Sequence, residues 1–566
     1  MDTKLSVLYS FNEAQTLLDR DMPSIQYQRN PCSIMNPVDP AQWKNSAPPS
    51  GFPIMVDEDN ATVTVAAGIP QRLLLDYLSS YTYWKEKSGW TLPAFSWFID
   101  QTIGGAVATG THGSSMRWGS LSSQVRGLKV LLANGTMLEI NNPEENLHLW
   151  RALGVSIGRL GIITELTMRI KPQQPVQRKL QNLKFEEFAT QVKGTQDAYN
   201  AAVASGNDNS IKAALFQVDE TQALWHYALD EIWRTDFQYF NHTPSGIVLN
   251  VNQANPEIVA MDGPPQIPAG DVFAQAKHEP VPPNPRIASN PQYWASFFAL
   301  SLRGQVTPGT YEASKAYLSM TDFGTKNIAG FAPYNQLEVA VPLQKAGDCL
   351  LMINSEMYGS KRLWEGFRTP ALIRFVTEED FYLSPTHGGP RMYVNMEDYL
   401  SLSTGHPNQQ FNEIVKLFLD KCDARLHWGK YGWPELDPVS IVVSVSSASS
   451  LLFLFSSASV LAVTWGLTGM DTSPYNRACS GKTITKHPKS LEIQLQCFDG
   501  ATAYPESWCN FGCAVQELDP TGKFSSESNV WRWNATSNGK AVNFASCCTS
   551  QGFDNGKCTC APSPVC

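Results

Sequence analysis

An α+β chain is predicted by three observations: a glycine-rich loop, a hairpin and long alternating strand directly after it, and a separate cysteine-dense tail. The loop, "DQTIGGAVATGTHGSS" at residues 100–115, carries glycines at 104, 105, 110 and 113, and reads as a strand approach, an apolar turn and a run of small hydroxyls. Glycine lets the backbone take positive φ and come close to a ligand. Successive N–H groups and Ser/Thr hydroxyls then form a nest for anionic oxygens. Upstream, "GFPIMVDEDNATVTVAAGIPQRLLLDYL" reads as two alternating strands around Asn60 and a helix from Pro70. Downstream, "VRGLKVLLANGTMLEI" reads as two short strands turning at Asn134-Gly135. "GVSIGRLGIITELTMRI" (154–170) follows as a tight turn at Gly158 and Gly161 feeding a strand from Ile162 to Ile170. No G-x-G-x-x-G stands near these elements, which excludes the Rossmann fingerprint.

Composition bounds the function. The 566 residues suffice for two or three domains, and 43% hydrophobic with 17% charged residues describes a globular chain. A net charge of −9 argues against nucleic acid as a partner. The 16 Trp, 19 Tyr and 26 Phe are read as core.

The order of the glycine loop, "SIGRLGIITELTM" and the later "HWGK" (427–430) resembles the sugar-lactone oxidases, the L-gulonolactone and D-arabinono-1,4-lactone oxidase family of vanillyl-alcohol-oxidase-type flavoproteins, plant-type members above all. The resemblance covers residues 50 to 434 and resumes at "VQELDPTGKFSSE" (515–527). It implies a PCMH-type FAD-binding domain over 51–175 and an antiparallel-sheet-and-helix substrate, or cap, domain over 176–438. The cofactor implied is FAD, held at its pyrophosphate by Gly104, Gly105, Thr109, Gly110, Thr111, His112, Gly113 and Ser114, with the backbone of Gly161, Ile162 and Ile163 towards the adenine. His112 is expected to pack beside the phosphates rather than to act as a base or covalent link. The implied substrate is an aldono-1,4-lactone in ascorbate-type biosynthesis, with oxygen or another electron acceptor as the second partner.

The resemblance also implies the chemistry-bearing residues. Lys430 is the cation expected to face substrate and flavin, with His427 supporting it. Such a cation lowers a hydroxyl pKa and stabilises negative charge. The family pattern Glu-x-Arg falls at "PALIRFV" (370–376), where Arg374 is kept and Leu372 occupies the glutamate position. A charged hydrogen bond contributes about 1.5–3 kcal/mol, which leucine cannot supply. Glu338, on the apolar strand "NQLEVAVPL", either replaces that carboxylate or faces outward. His387 in "PTHGGPR" reads as structural, and no metal ligands are assigned. Two functional readings stand: an FAD-dependent lactone oxidase, and a flavin-fold paralogue without that activity or acting on another carbohydrate or alcohol.

Three segments depart from the family pattern. Residues 1–50 lack the Gly/Ser/His flavin loop and any signal peptide, as expected of a chain missing its first βα unit. Residues 439–496 read as an insertion: the run 439–469 holds no charge but nine serines, and is either a membrane span or a retained intron. Residues 497–566 form a Cys-rich extension. Nine of the twelve cysteines lie from Cys479 to Cys566, with only His487 as a zinc partner, so disulfides and an oxidising, secretory compartment are expected. The sequons at Asn60, Asn134, Asn241 and Asn534 are compatible with secretion.

Overall fold

Antiparallel pairing organises both halves of the chain. The computed structural model describes residues 54–80, 89–96, 99, 101–240, 291–292, 308–312, 335–398, 408–430, 500–505, 507–525 and 531–563. In the first half, β1 (Ile54–Asp57) and β2 (Thr62–Ala66) form the hairpin around Asn60, and α1 spans Gln71–Ser80. After α2 (Ile103–Ala108) come β3 (Val125–Leu131) and β4 (Met137–Ile140), which turn at Gly135, whose φ is +85°. Helix α3 (Leu147–Leu153) leads to β5 (Ile162–Arg169), and the sheet order is β1-β2-β5-β3-β4. The central β5 buries every second residue, as its alternation predicts.

The glycine loop differs from its predicted form. The anticipated apolar turn is the short helix α2, capped by Thr102, whose hydroxyl accepts from the Gly105 N–H at 3.4 Å. Of the four glycines only Gly110 has positive φ, +68°. Gly113 serves close approach instead, because a Cβ there would strike the Phe95 carbonyl oxygen.

Among the described residues the second half is built on eight strands: β6 (Pro175–Leu183), β7 (Thr221–His226), β8 (Glu231–Tyr239), β9 (Gly309–Glu312), β10 (Asn335–Pro342), β11 (Ala371–Val376), β12 (Arg391–Asp398) and β13 (Arg425–Leu426). Their order is β9-β6-β8-β7-β11-β12-β10-β13. This is the large antiparallel sheet expected of the cap domain. Helices α4 (Phe185–Ser205) and α5 (Leu343–Tyr358) cover one face, burying Trp225 in a stack with Phe185 at 4.0 Å between ring centroids. The two helices cross closely at Gly347, where a Cβ would collide with the Lys193 backbone. Helix α6 (Gln409–Lys421) follows, and Cys422 at its end is joined to Cys349 of α5, a bridge that cysteine spacing did not suggest.

In the tail, α7 (Trp508–Leu518) presents Cys509 and Cys513 one turn apart. They bond Cys560 and Cys548, and Cys547 bonds Cys558. The expected disulfide framework is therefore present, while Cys479, Cys497 and Cys566 lie outside the described residues. The turn after α7 packs back on the first domain: Asp519 accepts from the N–H groups of Lys523 (2.7 Å) and Phe524 (2.8 Å), and Lys523 Nζ donates to the Ala133 carbonyl at 2.8 Å. Among the described residues no helix is long and apolar enough to cross a membrane. The anticipated span at 439–469 and the atypical segment 1–50 both lie outside them.

Candidate active site

The sheet face turned away from α4 and α5 carries the site, and strand alternation puts it there. Along β12, Met392, Val394 and Met396 join the core, whereas Tyr393, Asn395 and Glu397 point the other way. Register aligns neighbours on that face. Glu338 lies opposite Asn395, Asn395 opposite Leu372, and Leu372 opposite Leu224. One rung on, Arg374 lies opposite both Tyr393 and Gln222. The glycine loop packs over this face and closes a cleft of about 390 Å³, open mouth included, lined by Thr111 and His112 from the loop and by Glu338, Arg374, His427 and Lys430 from the cap domain.

Arg374 joins the two domains. Its Nη2 donates to Glu338 Oε1 at 2.5 Å and its Nη1 to the His112 carbonyl at 2.8 Å. Burial alone would raise the Glu338 carboxyl, but the neighbouring guanidinium overrides it and holds the group well below the usual carboxylate range. Glu338 is 1% exposed, so its charge faces the cleft and not solvent. His112, Glu338 and His427 bring ligand-type atoms within 4.8 Å of one another, yet Arg374 already answers the carboxylate's charge.

Both histidines are held by backbone groups. The His112 ring lies against Tyr393, 3.8 Å between centroids, with Nε2 3.4 Å from Glu338. Burial, reinforced by Arg374, lowers its pKa, and Nδ1–H donates to the Gly113 carbonyl at 2.9 Å. His427 Nδ1 accepts from the Gly429 N–H at 3.0 Å, which leaves Nε2–H to donate to the Gly110 carbonyl at 3.2 Å. Burial pushes its pKa down to about 3. His427 therefore pins the "HWGK" turn to the glycine loop and transfers no proton.

That pinning has a measurable result. His427 has a folded pKa far below the usual value of about 6.5, so only the unfolded chain binds its proton as pH falls. Its stabilisation is complete above pH ~6.5 and is lost progressively below it, by about 2 kcal/mol at pH 5. A melting temperature that falls between pH 6.5 and 4.5, with a shallower slope in His427→Gln, is the expected outcome.

Lys430 is the cleft's cation. Burial pulls its pKa down to about 8 against the opposing attraction of Glu338. Its Nζ donates to Gln336 Oε1 at 2.7 Å, and Gln336 Nε2 donates onward to Glu397 Oε1 at 3.3 Å. Burial raises the Glu397 pKa to about 7. Sequence reasoning missed Asn395, Gln336 and Glu397, although polar residues at every second position of "RMYVNMED" were a legible signal.

The remaining predicted residues hold the loop in place. The Gly104 N–H donates to the Ala67 carbonyl at 2.8 Å, so neither it nor the N–H of Gly105 is left to an anion. Thr109 Oγ1 donates to the Gly105 carbonyl at 3.0 Å. Ser114 Oγ donates to the Thr221 carbonyl and accepts from the Phe375 N–H, which ties the loop to the cap sheet. Asp219 accepts from the Met116 N–H at 2.8 Å, and Glu379 from the Ser120 N–H at 3.0 Å. Gly161 precedes β5 with φ +150°, and Ile162 and Ile163 pair with Leu131 and Val130. The His387 carbonyl accepts from Arg425 at 2.6 Å, in a turn that does not line the cleft.

Residues 53–141 match the family model described as FAD binding domain, and residues 327–532 that of D-arabinono-1,4-lactone oxidase. L-gulonolactone oxidase of Bos taurus is 24% identical over 381 residues, covering 67% of this chain and 73% of that protein. D-arabinono-1,4-lactone oxidase of Yarrowia lipolytica is 35% identical over 124 residues, 22% of each chain, so the match spans about a fifth of that relative's length. Cholesterol oxidase from B. sterolicum shares the fold, with a TM-score of 0.52 at 15% identity over 84% of this chain and 81% of that one.

Proposed function

Taking as premise that the chain belongs to the FAD-linked family of D-arabinono-1,4-lactone and L-gulonolactone oxidases, we propose that it oxidises an aldono-1,4-lactone at a carbinol carbon, with oxygen as acceptor and an ascorbate-type product. The observation that carries this reading is the convergence of Lys430, Arg374, Glu338 and His112 on one cleft between the glycine loop and the cap sheet. The cleft offers polar atoms to a bound group. Glu338 Oε2, Arg374 Nε, Asn395 Oδ1 and His112 Nε2 are buried there without hydrogen-bond partners among the described residues. The Thr111 hydroxyl and the Gly113 backbone would hold FAD on the loop side, and Gly161 to Ile163 on the adenine side, whereas the N–H groups of Gly110 and Thr111 are already given to the Val107 and Ala106 carbonyls. FAD supplies the hydride acceptor.

The residues of the chain do the rest. Lys430 as ammonium stabilises the negative charge that develops on the substrate oxygen as its hydroxyl proton passes to solvent water at the open mouth of the cleft. Arg374 fixes Glu338, and that carboxylate, two strands from Leu372 on the same rung, accepts from substrate hydroxyls in place of the missing glutamate. The alternative of a flavin-fold paralogue without this activity rests on Leu372 and on the flavin-loop histidine motif that residues 1–50 lack, and Glu338 answers the first of these. The disulfides and the exposed sequons Asn60, Asn134 and Asn534 support a place in the secretory pathway.

The test is anaerobic titration of the purified, flavin-loaded protein with L-gulono-, L-galactono- and D-arabinono-1,4-lactone. Bleaching of the flavin absorbance by at least one, with hydrogen peroxide released on admitting air, is expected. Flavin that no lactone reduces would overturn the proposal.

A further inference from the structure

The rung of the cap sheet beside the cleft carries a second polar pair. Along β10, Gln336 lies two residues from Glu338, and along β12, Glu397 lies two residues from Asn395, so strand alternation puts all four on one face. Register pairs Gln336 with Glu397 just as it pairs Glu338 with Asn395. Same-face neighbours stand about 6.8 Å apart along a strand, so the outer pair is one step beyond the inner one. Glu338 and Asn395 line the cleft, whereas Gln336 and Glu397 do not. The outer pair therefore meets Lys430 rather than a bound substrate.

The path of the chain brings Lys430 there. Strand β13 runs antiparallel beside β10, with Leu426 opposite Val339, and the His427 N–H donates to the Glu338 carbonyl at 3.0 Å. Three residues later Lys430 Nζ donates to Gln336 Oε1 at 2.7 Å, and Gln336 Nε2 donates to Glu397 Oε1 at 3.3 Å. An ammonium only donates and a carboxylate only accepts, so one orientation of the amide serves both. Each bond of such a chain polarises the next. Burial and Arg374 disfavour the ammonium form of Lys430, and Glu338 and Glu397 favour it. Glu338 is bonded to Arg374, and His112 and His427 beside it are held neutral by burial. A carboxylate in direct contact with Lys430 would compete with the substrate oxygen for the ammonium. One amide further back, it keeps the charge balanced and leaves the cleft face to the substrate.

We propose that Gln336 and Glu397 are positioning residues for Lys430: the amide holds the ammonium at the cleft wall, and the carboxylate behind it supplies a counter-charge from outside the cleft. The inference rests on the reading of Lys430 as the cation at the substrate hydroxyl, and its first measurement needs no lactone.

That measurement is trace labelling of the flavin-loaded protein with acetic anhydride over a pH series, read at Lys430 by peptide mass spectrometry, because only the free amine is acetylated. The wild-type midpoint is expected near pH 8. Glu397→Gln keeps the size and removes the charge, so the midpoint should fall by roughly half a pH unit or more. The double variant Gln336→Glu, Glu397→Gln keeps the charge and moves it against the ammonium, so its midpoint should rise above wild type. With lactone as substrate, the descending limb of kcat/KM should move with the labelling midpoint in both variants. Below about pH 7 Glu397 takes up a proton, but Lys430 is an ammonium there already, and the wild-type profile stays flat. Gln336→Leu should lower kcat about tenfold and change KM less than about threefold, since a displaced cation costs turnover more than binding. A Glu397→Gln midpoint at or above that of wild type overturns the proposal, and so does a double variant whose midpoint falls. Lower melting temperatures without any shift in midpoint would mark a merely structural pair and overturn it too. If the midpoints shift as stated but no lactone reduces the flavin, the lactone reading falls and the hold on Lys430 stands.

Discussion

Replacing Lys430 with methionine is expected to lower lactone turnover about 10²–10³-fold while leaving the bound flavin spectrum intact. The side chain has similar length and the position is buried, so what is lost is the charge beside the substrate hydroxyl. The pH dependence gives the sign. With a pKa of about 8, Lys430 is an ammonium below pH 8 and an amine above it. An alkoxide-stabilising cation therefore gives a kcat/KM that is flat below pH 8 and falls as pH rises past it. In Lys430→Arg the descending limb should move beyond pH 10, because a guanidinium does not titrate there. A limb that rises through pH 8 in wild type would instead make the amine a base, and would refute the assigned role.

The second large effect concerns stability. Glu338→Ala leaves the Arg374 guanidinium buried and uncompensated, with an expected loss of about 3–5 kcal/mol in denaturant unfolding. Arg374→Met in the same chain should recover most of that loss. Neither variant should oxidise lactone, so the double variant separates the pair's role in substrate binding from its role in folding. A Glu338→Ala protein as stable as wild type would show that the pair is not the buried bridge that its geometry describes.

Legibility in the sequence followed the range of the interactions. Period-two alternation and the Asn-Gly turn made β3, β4 and β5 readable, because strand faces and hairpin turns are local properties. The glycine loop was harder. Two glycines and an apolar run suggest a turn, but the Thr102 cap and the packing against Ala67 make it helical. Glu338 could be read either inward or outward, because its partner Arg374 lies 36 residues away and two strands across. Asn395 and Glu397 went unnoticed although their alternation was visible, since alternation says that a face is polar without saying what covers it.

The stitching of the glycine loop to the cap sheet also bears on biogenesis. Gly110, His112 and Ser120 are held by His427, Arg374 and Glu379, which lie 317, 262 and 259 residues later in the chain. At roughly 5–20 residues per second of synthesis, the loop leaves the ribosome tens of seconds before its clamps exist. The nascent first domain thus waits with an unfinished cofactor cradle, and firm loading of FAD becomes a late event, completed after the "HWGK" turn has emerged.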